Sequence, residues 1–300
     1  LNKKDLRIYF ADFWPNFNIY DNYFLNLLSM KYNVIIDDVM PEVLFHSVDY
    51  AKQSNHLKFN NDFTKKIFFT GENIEPDFSQ TDYSLSFISN TEKNNYRLPL
   101  WVTYIDWFDS KKNKNRDPSF LIPKKKLLNQ KKNFSAKPMF CSFIASKPIG
   151  KRMEFVPKLN ESKKVHSLGR LYSNSYLRAF GRGDSREKVS IMKLFKFNIC
   201  FESEHSPGYV TEKILHSFYA NSIPIYWGDD FVKKDFNQNA FLFYDDFNTQ
   251  EEIIDRILTI NSSSTLYKKY TEQPVFEDNS YPEFTLPDNV LSFISEKIEE

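Results

Sequence analysis

The run FNICFESEHSPGYVTEKILHSFYANSIPIYWG, residues 197–228, constrains the fold more than any other stretch of the chain. An apolar segment, FNICFE (197–202), leads into a Pro-Gly turn, then an apolar-periodic stretch over 209–220, then a second apolar segment, SIPIYWG (222–228). Strand, helix and strand in that order make a βαβ unit, because parallel strands need a covered crossover between them. Open sheets of this kind bind ligands beyond the carboxyl ends of their strands, where helix N-termini point. The loop Ser203–Gly208 occupies that place, and the helix behind it opens with Tyr209, Thr211, Glu212 and Lys213.

The same rhythm runs through the rest of the chain. LRIYFAD (6–12), NVIID (33–37), EVLFHS (42–47), KKIFFTG (65–71) and DYSLSFIS (82–89) read as strands. Between the first two, Tyr20, Tyr23, Phe24, Leu27 and Leu28 fall at helical spacing. Residues 109–137 are rich in Lys, Asn and Pro without periodicity and read as a linker or a long crossing segment. MFCSFIAS (139–146) restarts the strands, 151–155 and 185–195 read as helical, and 287–300 carries Val290, Leu291, Ile294 and Ile298 on one face. The fold class is therefore α/β with two Rossmann-like halves, 1–135 and 136–300, the last helix being a candidate to pack back on the first half.

Composition narrows the function classes. With 40 Lys+Arg against 39 Asp+Glu, no global field argues for nucleic acid. Basic residues do cluster at 111–116, 124–126 and 131–132, either as solvated loops or as a peripheral contact with a membrane surface. Thirty Phe, 17 Tyr and 4 Trp supply a large aromatic core, and Cys141 and Cys200 sit in apolar runs that read as buried thiols in strands, not as a disulfide or zinc framework. Asn133, Asn160 and Asn261 stand in N-x-S/T patterns that an Asn-rich chain produces by chance. No apolar run approaches the roughly 20 residues of a membrane span, and LNKKDLRIYF enters a strand without a secretory pattern.

Two readings of the helix start at 209–213 stand side by side. A helix N-terminus with unpaired N–H groups suits a phosphate, Lys213 adds a positive charge, Glu212 can accept from ribose hydroxyls, and Tyr209 can stack on a base or bond a phosphate oxygen. Equally, Glu212 favours the helix dipole and Thr211 is a capping-region residue.

Residues 200–247, CFESEHSPGYVTEKILHSFYANSIPIYWGDDFVKKDFNQNAFLFYDDF, closely resemble the signature of the α-1,3-fucosyltransferases of glycosyltransferase family ten. The family blocks FEN…GY(V/I)TEK, A…PIYWG and DFN…F(V/I)…DF stand here in order. FTGENIEPDFSQTDYSLSFIS (69–89) is similar to the family's YTGEN…PNF…DYAIGF, YRLPLWV (96–102) to its YLRMPLYY, and FCSFIASKPIGKRMEF (140–155) to its F…VVSN…R…F segment. LRIYFADFWP and KVHSLGRL (164–171) correspond more loosely.

The resemblance implies a GT-B fold with the active cleft between the two halves. It implies inverting transfer of L-fucose from GDP-β-L-fucose to a glycan hydroxyl, α-1,3 to GlcNAc or Glc of a lactosamine-type or lipopolysaccharide acceptor. Inversion asks for one carboxylate to take the acceptor's proton, and the family's base falls on Glu72, which from the residues alone is also readable as part of a surface turn. Arg152 and Lys213 match its phosphate-binding cations, Glu212 its ribose-binding Glu and Tyr209 its nucleotide-contacting Tyr, with Ser146, Glu202 and Ser203 completing the donor set. Without the family, Arg152 reads as a helix residue snorkelling beside Lys151.

No metal or cofactor is implied, since basic side chains and a helix dipole stand in for a cation; Asp229-Asp230 reads as a surface turn and not a DxD site. Ser203 replaces the family's usual Asn, Lys147 stands where an Asn is common, and HSLGR replaces SGG(R/K), so another GDP-sugar donor is the alternative. A non-catalytic glycan- or nucleotide-binding protein is the other. Trp14, Trp101 and Trp107 are candidates either to pack on acceptor sugars or to fill the core. A bacterial cytoplasmic enzyme, peripheral at the inner membrane, is the expected setting, against the Golgi lumen for a trimmed eukaryotic chain. Acceptor identity and oligomeric state are not readable.

Overall fold

The computed structural model describes residues 3–49, 51–89, 93–109, 121–128, 137–177 and 185–300. The basic runs 111–116 and 131–132 and Asn133 lie outside these residues. The chain forms two compact units, residues 1–103 with 282–300 and residues 104–281. The passage between them thus falls at Thr103, ahead of the expected 135, and the final helix counts with the first unit.

In the first unit, β1 (Asp5–Ala11) is followed by α1 (Tyr23–Leu28), β2 (Asn33–Ile36), β3 (Val43–His46), β4 (Lys65–Phe69), β5 (Tyr83–Ser86) and β6 (Asn95–Arg97). The six strands make one parallel sheet in the order β2-β1-β3-β4-β5-β6. Every residue of β3 is buried, as a strand covered on both faces requires. Asn22 starts α1 by accepting the Leu25 N–H at 2.9 Å, and the helix buries Phe24, Leu27 and Leu28. Phe24 meets Phe45 at 5.0 Å and Phe69 at 4.9 Å between ring centroids, which is where part of the aromatic excess goes. Trp101 belongs to the same interior and is wholly buried.

The second unit carries a short parallel pair, β7 (Ile105–Asp106) and β8 (Ile122–Pro123), ahead of its main sheet. This pair, together with Trp107 packed on Tyr281 at 4.7 Å, places residues from 104 onward with the second unit. Then follow β9 (Met139–Phe143), α2 (Arg152–Ser162), β10 (Val165–Ser167), α3 (Ser185–Met192), β11 (Phe195–Phe201), α4 (Glu212–Tyr219), β12 (Ile223–Trp227), α5 (Val232–Asp235), β13 (Leu242–Phe243), α6 (Gln250–Ser262) and α7 (Ser264–Thr271). The sheet is parallel, in the order β10-β9-β11-β12-β13. Helix α2 continues well past the expected 155 and contains Pro157, the residue that hides it from a pattern reading.

The chain closes with α8 (Pro287–Glu299), which buries Val290, Leu291 and Ile294 in the first unit and pairs Glu299 with Lys31 at 2.8 Å. Cys141 and Cys200 are buried free thiols in β9 and β11; burial pushes the Cys200 thiol up to about 12. Trp101 and Trp107 are core residues, so of the three tryptophans read as sugar platforms only Trp14 is partly open, edge-on to Phe17. Among the described residues no helix is long and apolar enough to cross a membrane.

Candidate functional site

The carboxyl end of β11 and the start of α4 bring four charged side chains together. Glu202 follows β11 directly and is fully buried, with its backbone N–H on Trp227 O of the neighbouring strand at 2.9 Å. Its carboxylate accepts from Thr211 N at 2.9 Å, from the Thr211 hydroxyl at 2.9 Å and from Lys213 Nζ at 2.7 Å. Glu202, read in the sequence as one of the donor set, is therefore a buried anchor held by donors of its own chain. Gly228 permits this: a Cβ there would lie 2.6 Å from the Tyr226 hydroxyl and 3.0 Å from Glu202 Cγ.

Thr211 holds the N-cap position of α4, but its hydroxyl turns to Glu202 and Lys213 and makes no cap bond, so the first turn's N–H groups are left without a side-chain cap. Lys213 is held at 2.7 Å by both Glu202 Oε2 and Thr211 Oγ1. Burial alone would lower its ammonium; Glu202 and Glu212 prevail and raise it. Glu212 is partly buried, which alone would raise its carboxyl, yet the charges of Lys213 and Lys188 hold it well below the usual carboxylate range. Lys188, on α3, lies 3.4 Å from Glu212 Oε1. It went unread in the sequence because its partner sits on another helix and no local pattern links the two.

Arg152 begins α2 and is buried, which draws its guanidinium down from its ordinary value while Glu202 opposes. Nη2 donates to Phe201 O at 2.8 Å, and buried Nε has no partner among the described residues. The residue is thus anchored inward at the end of β11, against the snorkelling alternative. The loop between β9 and α2 approaches the same place: a Cβ on Gly150, whose φ is +63°, would sit 3.3 Å from both Ser203 O and the Trp227 ring. Ser203 is partly buried there, and Ser146 is exposed at the start of that loop. Tyr209 is buried in the turn before α4, with its backbone N–H on Ser206 O at 3.0 Å.

Asp229 departs from expectation. Asp230 is exposed, but Asp229 is buried, and its Oδ1 accepts from Gly208 N at 2.8 Å and Phe231 N at 3.0 Å. Instead of forming a surface turn, it ties the loop before α4 to the end of β12. Among the described residues no group of three His, Cys, Asp or Glu side chains is arranged to hold a metal ion.

In the first unit Glu72 lies just beyond β4, exposed, at the carboxyl edge of the sheet. Its N–H donates to Thr70 Oγ1 at 2.9 Å, and that hydroxyl donates to Glu72 O at 3.1 Å, a tight turn that fixes the backbone under the side chain.

Two parallel α/β units, the second with a cluster of charged side chains at a strand end and helix start, have the fold of the GT-B class. Residues 8–104 match the α-(1,3)-fucosyltransferase FucT N-terminal domain, and residues 129–274 match the C-terminal part of glycosyltransferase family 10 (fucosyltransferase). The chain belongs to glycosyltransferase family 10. It is 30% identical over 287 residues to the Helicobacter pylori α-(1,3)-fucosyltransferase FucT, covering 87% of this chain and 58% of that protein. It is 26% identical over 168 residues to a putative fucosyltransferase of Acanthamoeba polyphaga mimivirus, covering 54% of this chain and 28% of that one. An α1,3-fucosyltransferase crystal structure superposes with a TM-score of 0.79 at 24% identity, covering 99% of this chain and 91% of the other. One with GDP-fucose superposes at 0.73 and 23% identity, covering 100% and 92%. These last two likenesses establish the fold.

Proposed function

We propose that the protein transfers L-fucose from GDP-β-L-fucose to a hydroxyl of a glycan acceptor, with inversion, forming an α-1,3 linkage. The observation that carries this reading is the charge cradle of Arg152, Lys213, Glu202 and Glu212 at the β11–α4 junction, in a chain of family 10. Departure of GDP gathers negative charge on the β-phosphate, and preformed positive groups stabilise that charge most in the transition state. Arg152 and Lys213 supply it, with the uncapped first turn of α4 beside them. Glu212 accepts from the ribose hydroxyls, Tyr209 and Ser203 line the nucleotide, and Ser146 reaches it from the β9–α2 loop. Glu72 takes the acceptor's proton as its oxygen attacks the anomeric carbon. No metal enters this scheme.

The test is GDP release and product formation from GDP-fucose over a panel of lactosamine, glucose-terminated and lipopolysaccharide-derived acceptors, with and without EDTA. Chelator-insensitive transfer is expected, and Glu72→Gln is expected to lose transfer by at least about 100-fold with the KM for GDP-fucose little changed. No transfer to any acceptor, or transfer only from another GDP-sugar, refutes the donor assignment. Full activity in Glu72→Gln refutes the base.

A further inference from the structure

We propose that Lys188 is a positioning residue for the donor's ribose: it holds Glu212 by one carboxylate oxygen, Oε1, and so orients the group to accept from the ribose hydroxyls. The inference rests on the reading of Glu212 as the ribose contact. Lys213, next to Glu212 in sequence, is drawn instead to Glu202 at 2.7 Å, and the ammonium paired with Glu212 is that of Lys188, 3.4 Å from Oε1. Both side chains of this second pair are largely withdrawn from solvent, 20% and 17% exposed, so the contact is not a freely rotating surface pair.

The position of Lys188 is set by packing. Val189 and Met192 of α3 are buried with Ala220 at the end of α4, which docks the two helices and delivers Lys188 to the first residue of α4. Ion pairing at one oxygen removes the carboxylate's rotational freedom before a ligand arrives, which lowers the ordering cost of binding. It also keeps the group an acceptor, since a protonated carboxyl would offer a donor toward a hydroxyl.

The experiment compares binding of GDP and of GDP lacking both ribose hydroxyls, by calorimetry, in the wild type, Lys188→Met, Lys188→Arg, Glu212→Gln and the Lys188→Met/Glu212→Gln double variant. The wild type is expected to prefer GDP by roughly tenfold or more, the worth of a charge-assisted hydrogen bond. Lys188→Met is expected to remove most of that preference while leaving the dideoxy compound's affinity within about threefold, because only the ribose contact depends on it. Lys188→Arg restores the preference, and the double variant is no worse than Glu212→Gln alone. If Lys188→Met weakens both compounds equally, Lys188 acts as a general phosphate attractor and the proposal fails. An unchanged preference in Lys188→Met with a lost one in Glu212→Gln also overturns it, leaving the ribose reading intact. A full preference in Glu212→Gln removes the ribose reading itself, and Lys188's role with it.

Discussion

Replacing Glu202 by Gln tests whether the donor cradle is built from inside. The substitution keeps volume and one acceptor for Thr211 N, but it turns an amide NH₂ toward the Lys213 ammonium, where a carboxylate oxygen now sits at 2.7 Å. Stranding one partner of a buried ion pair costs about 3–5 kcal/mol. Glu202 is fully buried, but the Lys213 side chain is 25% exposed and can turn partly to water, so a cost below that range, about 2–3 kcal/mol, is expected. Urea unfolding measures the stability and calorimetry the GDP affinity; both should fall, the second because Lys213 loses its orientation. Glu154→Gln, in an exposed pair with Lys151, is the control and should stay within about 0.5 kcal/mol. Adding Lys213→Met to Glu202→Gln removes the stranded charge and should recover stability without recovering affinity. A Glu202→Gln protein with wild-type stability and GDP binding refutes the internal anchor.

Two further outcomes follow from other buried groups. His46 and His216 are both held at about 3, first by burial and, at His216, also by the Lys188 ammonium, against 6.5 for a free imidazole. The unfolded chain therefore binds their protons first: the stability they contribute is complete above pH 6.5 and is lost as pH falls toward 3. Lowering pH from 7 to 5 should cost about 2 kcal/mol per histidine, and equal urea midpoints at the two pH values would contradict it. Asp229→Ala removes the Oδ1 acceptor shared by Gly208 N and Phe231 N, and should weaken GDP roughly tenfold through the loop before α4, with smaller loss for Asp230→Ala, read by the same calorimetry.

Much of this architecture is legible in sequence because parallel strands announce themselves as short apolar runs, and five of those in the first unit fall where the runs predict. Strand β6 escapes, being three residues long, and α2 is cut short in a pattern reading by Pro157, whose local propensity is overridden by Phe155, Val156 and Leu159 packing inward. The division between units is misplaced when composition alone is followed, since the Lys-rich stretch marks a change of polarity while Trp107 and Ile122 already belong to the second unit's interior. Charged residues divide the same way. Arg152, Glu212 and Lys213 carry a family signature, but whether a carboxylate faces a ligand or its own chain depends on contacts between distant elements, as for Glu202 with Thr211 and Asp229 with Gly208.

The adjacency of Glu212 and Lys213 has a geometric answer. Successive residues on a helix point about 100° apart and do not face one another, so each must find a partner elsewhere. Lys213 finds Glu202 at the end of β11, and Glu212 finds Lys188 on α3. The two pairs lock neighbouring side chains in different directions from different elements, which fixes a cation and an acceptor at separate points on one helix turn. Arg152 differs from both: Nη2 donates to a backbone carbonyl, that of Phe201, and among the described residues no hydrogen bond from it to a carboxylate is found. On the proposed reading, side chains held in this way need little reorganisation when the ligand's charge arrives, the property a leaving-group cradle requires.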